Sequence, residues 1–370
     1  MSDALRFEVM ARDGQARVGR VTTARGSFDT PCFMPVGTRG TVKAMTSADV
    51  EALGYQVVLV NTYHLMMRPG SALVRGLGGI HTFTGWDGHI LSDSGGYQVF
   101  SLSPKVDDEG VTFRSTYDGS YQRLTPESAV AIQAELGTDI QMVLDVCSSL
   151  PSTPEVLRLA LERTAEWARR AREAHPGGPQ ALFGIVQGGD DPDLRAESAR
   201  ITAGLGFDGY GIGGLSVGES REAMLTSLDA AVAELPVDAP RYLMGVGDPI
   251  GLVEGIARGV DMFDCVLPTR LGRHGTALTS AGRLSLRSAA NAEDPGPIDP
   301  ACACPVCARW SRAFIRHLLS VGEPTGGSLV SRHNLAWLRG LVGRATTAIE
   351  SGTLSELRDE VCRTWLAGGP

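Results

Sequence analysis

Asp93, Asp145 and Asp264 each fall in the last residues of a short apolar run, where a carboxylate can be aimed at a ligand. Grouped carboxylates are what glycosidic chemistry needs: one attacks or stabilises an oxocarbenium-like sugar while another moves protons to and from the leaving group. Any one of these aspartates alone reads as a helix cap, but the three together with Gln187, which ends a fourth run, read as a site. Asp261 lies an odd number of positions before Asp264, so strand alternation sends the two to opposite sides. Asp264, the more C-terminal, is the one expected in the site.

A second constellation points to metal. Cys302, Cys304 and Cys307 follow a C-x-C-x-x-C spacing, and His333 lies 26 residues beyond Cys307. Three thiolates and an imidazole satisfy tetrahedral zinc and leave no open position, so the expected ion is one structural Zn2+. His317 competes as fourth ligand, although Arg312 to His317 looks more like a basic helix face. Seven cysteines in 370 residues are too few for a disulfide framework. Arg270 and Arg273 follow Asp264 closely, placed to hold phosphates or the edges of splayed bases. Gly211, Gly213 and Gly214 do not match a dinucleotide fingerprint; they let a flat ligand approach the backbone.

Eight strand-like runs alternate with helical stretches: Cys32 to Val36, Val57 to Asn61, His89 to Asp93, Ile140 to Asp145, Ala181 to Gln187, Tyr210 to Gly214, Arg241 to Gly245 and Met262 to Val266. Helix starts are marked by Thr46 with Asp49, by Thr125-Pro126-Glu127 and by Thr153-Pro154-Glu155. Such alternation predicts parallel strands, and eight repeats close as a (β/α)8 TIM barrel, whose chemistry sits at the carboxyl ends of its strands. An open doubly wound sheet would have fewer strands and a glycine fingerprint after the first.

Before the barrel, Phe7 to Pro31 alternates polar and apolar residues around Asp13-Gly14 and Arg25-Gly26, which predicts an N-terminal β-hairpin cap. From Ala289 to Ser331 a proline- and glycine-rich loop carries the cysteines. The expected division is thus 1–288 for barrel and hairpins, 289–333 for an inserted zinc-binding subdomain, and 334–370 for closing helices.

A composition of 43% hydrophobic and 21% charged residues is that of a globular chain with a large core. The formal charge of −8 argues mildly against a nucleic-acid partner, but local charge can override the total. The first residues lack a basic-then-apolar signal and no segment approaches the roughly 20 apolar residues of a membrane span, so a cytoplasmic chain without membrane contact is expected.

Beyond these physical readings, the motifs resemble the bacterial tRNA-guanine transglycosylases almost from end to end. The resemblance is carried by Asn61-Thr62-Tyr63-His64, Ser92-Asp93-Ser94-Gly95-Gly96-Tyr97-Gln98, Gly184-Ile185-Val186-Gln187, Gly213-Gly214-Leu215-Ser216-Val217-Gly218-Glu219, Arg241-Tyr242-Leu243-Met244, Asp261-Met262-Phe263-Asp264 and the Cys302, Cys304, Cys307, His333 set. It implies exchange of the wobble guanine of a G-U-N anticodon for 7-aminomethyl-7-deazaguanine, through a covalent enzyme–tRNA intermediate, in queuosine biosynthesis. It implies Asp264 as nucleophile and Asp93 as general acid/base. Asp145, Gln187, Gly214 and Leu215 would meet the base edge, Tyr97 and Met244 its faces, and Ser94, Gly95, Gly96 and Cys147 would complete the pocket.

The resemblance further places the tRNA anticodon loop on Gly245, Val246, Gly247, Asp248, Pro249, Ile250 and Gly251, and on Thr269, Arg270, Leu271, Gly272 and Arg273. It also implies a homodimer. Val146 stands where bacterial members commonly have glutamate, and His274 where they have asparagine; Asp248 puts a negative charge in a loop expected to meet RNA. Two rivals predict different outcomes. A barrel glycoside hydrolase or nucleosidase would release base without incorporating any, and a non-catalytic, zinc-stabilised RNA-binding subunit would tolerate loss of Asp264.

Overall fold

The first turn signals work as a meander. In the computed structural model, which describes residues 4–102 and 104–367, strands β1 (Leu5–Asp13), β2 (Ala16–Thr23) and β3 (Gly26–Thr30) form an antiparallel sheet. Two-residue turns join them, the first with Gly14 at positive φ, which suits a tight hairpin. The sheet lies under the barrel at the amino ends of its strands. There Arg17 is buried and donates to both carboxylate oxygens of Asp261, at 2.8 and 2.6 Å, and to the carbonyls of Val237 and Ala239.

The barrel begins with β4 (Cys32–Met34) and β5 (Val36–Gly37), one strand interrupted at Pro35, which has no N–H to offer a ladder. It continues through β6 (Val57–Val60) and β7 (His89–Ser92). An antiparallel insertion follows, of β8 (Lys105–Asp107), β9 (Gly110–Arg114) and β10 (Tyr121–Leu124). The remaining barrel strands are β11 (Ile140–Met142), β12 (Ala181–Val186), β13 (Gly209–Ile212), β14 (Arg241–Leu243) and β15 (Met262–Asp264). All barrel pairings are parallel; β15 pairs with β4 while β5 pairs with β6, so the sheet closes on itself. The eight expected runs are the eight staves of this barrel. The insertion β8–β10 was not foreseen; its signals are the turns at Asp108-Glu109 and Asp118-Gly119, and its Val111, Phe113 and Leu124 pack with Tyr63 and Trp167.

Helices start largely as their caps predict. Thr46 and Asp49 form a reciprocal capping box, as do Thr125 and Ser128, with Pro126 in the first turn. Thr153 differs: it makes no side-chain cap hydrogen bond, so proline in the first turn starts that helix without one. No helix among the described residues is long and apolar enough to cross a membrane.

After β15 come a hairpin of β16 (Thr276–Thr279) and β17 (Gly282–Ser285) and the helices Arg312–Ser320, Pro324–Ser351 and Leu354–Ala367. Ala277, Leu286, Ile298, Val306, Ile315, Leu319, Leu329 and Val330 bury together around Cys304, a small core separate from the barrel's. The stretch read as a loop from Ala289 to Ser331 therefore includes the helix Arg312–Ser320. The helix Pro324–Ser351 runs unbroken across residues 333 and 334, because one face serves the cysteine core and the next turns pack on the barrel. Residues 1–3 and 368–370, at the ends of the expected division, lie outside the described residues.

Candidate active site

At the carboxyl end of the barrel a cavity of ≈ 290 Å³ opens, and its wall draws on nearly every stave. Asn61 follows β6, Asp93 and Ser94 follow β7, Asp145 and Cys147 follow β11, and Gln187 follows β12. Gly213, Gly214 and Leu215 follow β13, Met244 and Gly245 follow β14, and Asp264 ends β15; Tyr97 and Gln98 overhang from the helix Gly96–Phe100. Barrel closure is thus what brings residues 61 through 264 within reach of one ligand.

Asp264 is held at one oxygen only. Its Oδ1 accepts from the Tyr242 hydroxyl at 2.6 Å and from the Gly245 amide at 2.8 Å. Among the described residues nothing donates to Oδ2. Burial pushes the carboxyl upward, opposed by those two donors. Asp93 receives the Thr62 amide at 2.8 Å and the Gly95 amide at 3.0 Å on Oδ1, and the Asn61 side chain on Oδ2. Burial nevertheless lifts its pKa to about 7, with the negative charge of Asp264 adding to the rise. Both carboxyls are pushed upward by burial, and Asp93 near 7 can hold or release a proton around neutral pH, as acid–base work requires.

Asp145 accepts from Gln187 Nε2 at 2.6 Å through Oδ2, and burial raises its pKa to about 6. Above that pH it presents an anionic acceptor beside the glutamine. Cys147, whose thiol burial pushes up to about 12, stays protonated in the same wall. Tyr97 is largely exposed and Met244 half-buried, so apolar surface is available for a flat ring. Ser94 and Gly95 serve the turn itself: Gly95 donates to Asp93, and the Ser94 hydroxyl accepts from the Gly96 amide at 3.2 Å. Asp261 is absent from this cavity, being engaged with Arg17 at the opposite end.

Just after Asp264 in the chain, Arg270 and Arg273 sit on a short helix, Leu267–Arg273, rather than in a loop, one turn apart on the same face. Neither has a carboxylate partner among the described residues, so two unpaired cations follow the Asp264 strand in the chain despite the net charge of −8. Thr269 and Gly272 are buried. A side chain at Gly272 would meet the Ser331 backbone at 2.5 Å, so glycine is there for close helix packing.

In the other segment expected to meet RNA, Val246, Gly247, Pro249, Ile250 and Gly251 are buried, the last three in the first turn of the helix Pro249–Ala257. Gly245 and Asp248 reach the surface. Asp248 caps that helix through the Gly251 amide at 3.0 Å and pairs with Arg221 at 3.0 Å, so its charge is locally compensated.

The cysteine cluster is a second, separate site. The ligand atoms of Cys302, Cys304, Cys307 and His333 all lie within 4.8 Å of one another. His333 Nδ1 is 3.5 Å from Cys304 Sγ and 3.3 Å from Cys307 Sγ, spacings that tetrahedral coordination of one ion would impose. Its Nε2 lies 2.8 Å from the Leu278 carbonyl, which fixes the N–H on that side and turns the Nδ1 lone pair to the thiolates. His317 lies on the exposed face of the helix Arg312–Ser320, away from the cluster.

Sequence reading passed over several residues of the mouth. Tyr242 was legible, since it lies two positions before Met244 in the extended run Arg241 to Gly245 and alternation puts the two on one face. Glu219, whose carboxylate takes the Ser216 and Val217 amides and pins the loop after β13, lies in the motif that runs from Gly213 but was given no role, and Arg195 beneath that loop carried no positional signal.

The family described as Queuine tRNA-ribosyltransferase matches residues 13–367 of the chain. Among curated relatives, the queuine tRNA-ribosyltransferase of Desulforudis audaxviator is 53% identical over 359 residues, covering 96% of each chain. That of Halothermothrix orenii is 50% identical over 367 residues, 98% of each. That of Rhizobium meliloti is 48% identical over 371 positions, spanning 100% of this chain and 99% of the relative.

Proposed function

The chain belongs to the queuine tRNA-ribosyltransferase family, and from that premise we propose that it is a tRNA-guanine transglycosylase of queuosine synthesis, with Asp264 as covalent nucleophile and Asp93 as proton carrier. The observation that carries the assignment is the asymmetric hold on Asp264: Oδ1 takes two hydrogen bonds and Oδ2 is left free, facing a cavity it shares with Asp93.

In the first half-reaction Oδ2 forms a bond to C1′ of the wobble guanosine while the C1′–N9 bond breaks and its electron pair leaves with guanine. Asp93, neutral below about pH 7, supplies the proton that the departing base takes up. In the second half the incoming base gives its N9 proton to Asp93, attacks C1′, and the C1′–Oδ2 ester bond breaks. Both halves use the same two carboxyls in opposite order, a ping-pong scheme. The leaving group must be flipped from its stack to reach the cavity. Asp145 accepts the N–H groups of its edge and Gln187 stays oriented by Asp145, while Tyr97 and Met244 cover its faces.

The incoming base is taken to be 7-aminomethyl-7-deazaguanine, in a pocket bounded by Cys147 and Val217. The RNA partner is the anticodon loop of tRNA, its phosphates met by Arg270 and Arg273 and its approach by Gly245 and Asp248. The Cys302, Cys304, Cys307 and His333 set fits one Zn2+, which when bound ties the second core together without an open coordination position. A cytoplasmic homodimer completes the reading.

Incubation with G-U-N tRNA and radiolabelled guanine tests it. Label enters wild-type reactions, a denaturant-resistant protein–RNA adduct accumulates when base is withheld, and Asp264→Asn abolishes both. Release of guanine without incorporation would identify a hydrolase instead, and full activity of Asp264→Asn would overturn the nucleophile.

A further inference from the structure

The helix Pro192–Gly204 carries a cation that the chemistry above does not use. Arg195 is fully buried, and its guanidinium donates to four backbone carbonyls. Nε bonds Gly189 O at 2.8 Å, Nη1 bonds Val186 O at 3.1 Å and Gly213 O at 2.6 Å, and Nη2 bonds Gly214 O at 3.0 Å. Among the described residues no carboxylate pairs with it; Cys147, Glu219 and Asp190 are the titratable groups whose field it feels. Burial lowers its pKa to about 10, which still leaves it charged at neutral pH. A buried cation solvated only by peptide dipoles is costly to keep and polarises the peptides that solvate it.

Those peptides belong to the base pocket. The Gly213–Gly214 and Gly214–Leu215 bonds are trans, so each N–H points opposite to its carbonyl. With both carbonyls turned onto Arg195, the Gly214 and Leu215 amides are turned away from it, toward the cavity these residues line. Neither amide has an acceptor among the described residues. Gly214 holds the turn at φ 65°, and a side chain there would meet Gln187 Oε1 at 2.3 Å, so only glycine allows both the turn and the neighbouring glutamine. Consecutive amides presented this way form an anion-binding concavity.

We infer that Arg195 is a positioning residue of the exchange reaction: it aims and polarises the Gly214 and Leu215 amides as donors to the carbonyl oxygen of the guanine ring. As the glycosidic electron pair moves onto the departing base, negative charge spreads to that oxygen until the proton arrives, and donors fixed beforehand stabilise it without reorganising. Asp145, the acceptor, and these amides, the donors, then face complementary edges of one base. This rests on the reading of the cavity as a guanine pocket.

Competition against labelled guanine for incorporation into tRNA tests the inference, with unlabelled guanine and 2-aminopurine, which lacks the ring oxygen, as competitors. In the wild type 2-aminopurine should require roughly a hundredfold higher concentration than guanine. Arg195→Met should narrow that ratio by about tenfold, and Arg195→Lys, which keeps a charge in the same place, should fall between. The contribution of Asp145, which also loses a partner in 2-aminopurine, is common to all three proteins and cancels in the comparison. An unchanged ratio in an Arg195→Met enzyme that still incorporates guanine overturns the inference alone. So does a wild type that treats the two bases alike, a result independent of whether any variant folds. Failure of the wild type to incorporate guanine at all overturns the pocket reading and this inference together.

Discussion

Asp261 immediately precedes and Asp264 ends one three-residue strand, and the two carboxylates sit at opposite poles of the barrel. At the floor, Asp261 is fully buried and gripped by the fork of Arg17, with the Arg241 amide as a further donor. At the mouth, Asp264 has, among the described residues, no cation at hydrogen-bond distance, only a phenol and an amide on a single oxygen. The floor carboxylate has its charge matched and its oxygens occupied, so it joins the hairpin sheet to the barrel and offers nothing to a ligand. The mouth carboxylate, which shares its cavity with Asp93 and Asp145, has one oxygen without a donor among the described residues, the feature that the proposed nucleophile needs.

Exchanging the two aspartates for asparagine should separate these jobs most sharply. Asp264→Asn is expected to lower guanine exchange by more than about 10⁴-fold while leaving the melting temperature at pH 8 unchanged or raised, since a buried charge is removed. Asp261→Asn strands Arg17 and should cost about 3–5 kcal/mol in urea unfolding, yet the folded fraction should form the covalent adduct normally. If the second variant were stable and inactive, the assignment of the poles would be reversed.

Metal removal comes next. Cys304→Ala should drop bound zinc from about one per chain to near zero and loosen residues 276–333 to proteolysis, with exchange falling only as far as the fold does. Loss of exchange in chelated protein with intact near-ultraviolet dichroism would contradict a purely structural ion. A smaller effect is expected for Tyr242→Phe, which deletes one of the two bonds to Asp264 Oδ1: about a tenfold fall in kcat with little change in KM for tRNA.

The smallest effect is a slope. The Asp93 carboxyl titrates near 7 when folded against 3.8 as its ordinary value. Between those pH values the folded chain holds a proton that the unfolded chain has released, so stability falls as pH rises through the window and levels off above about 7. Asp145, raised to about 6, adds a fall of the same sign over the lower part. The melting temperature of Asp93→Asn relative to wild type should therefore climb from pH 4 to pH 7; a flat difference would mean that Asp93 keeps an ordinary pKa.

Much of this was readable in advance because it is local or periodic. Eight apolar runs separated by helical stretches define the staves, and the more C-terminal place of Asp264 in its run assigns it, rather than Asp261, to the carboxyl end of the barrel. The tight cysteine spacing announces a metal cluster in the same way. Other features depend on which segments meet. The antiparallel insertion β8–β10 is too short and polar to stand out, and the buried first turn at Pro249 cannot be told from an exposed loop by its glycines.

The amino-acid sequence by itself determined the staves, the turns and the residue types at each strand end, since these follow from backbone propensity and side-chain alternation. Tertiary structure decided which charges are neutralised and which are left free. Arg17 reaches Asp261 across 244 positions, His333 rather than His317 swings onto the cysteines, and Arg195 finds carbonyls at the carboxyl ends of both β12 and β13. Those choices belong to closure of the barrel, because the energy of a charge is set by the partners and solvent that surround it in space and not by its neighbours along the chain.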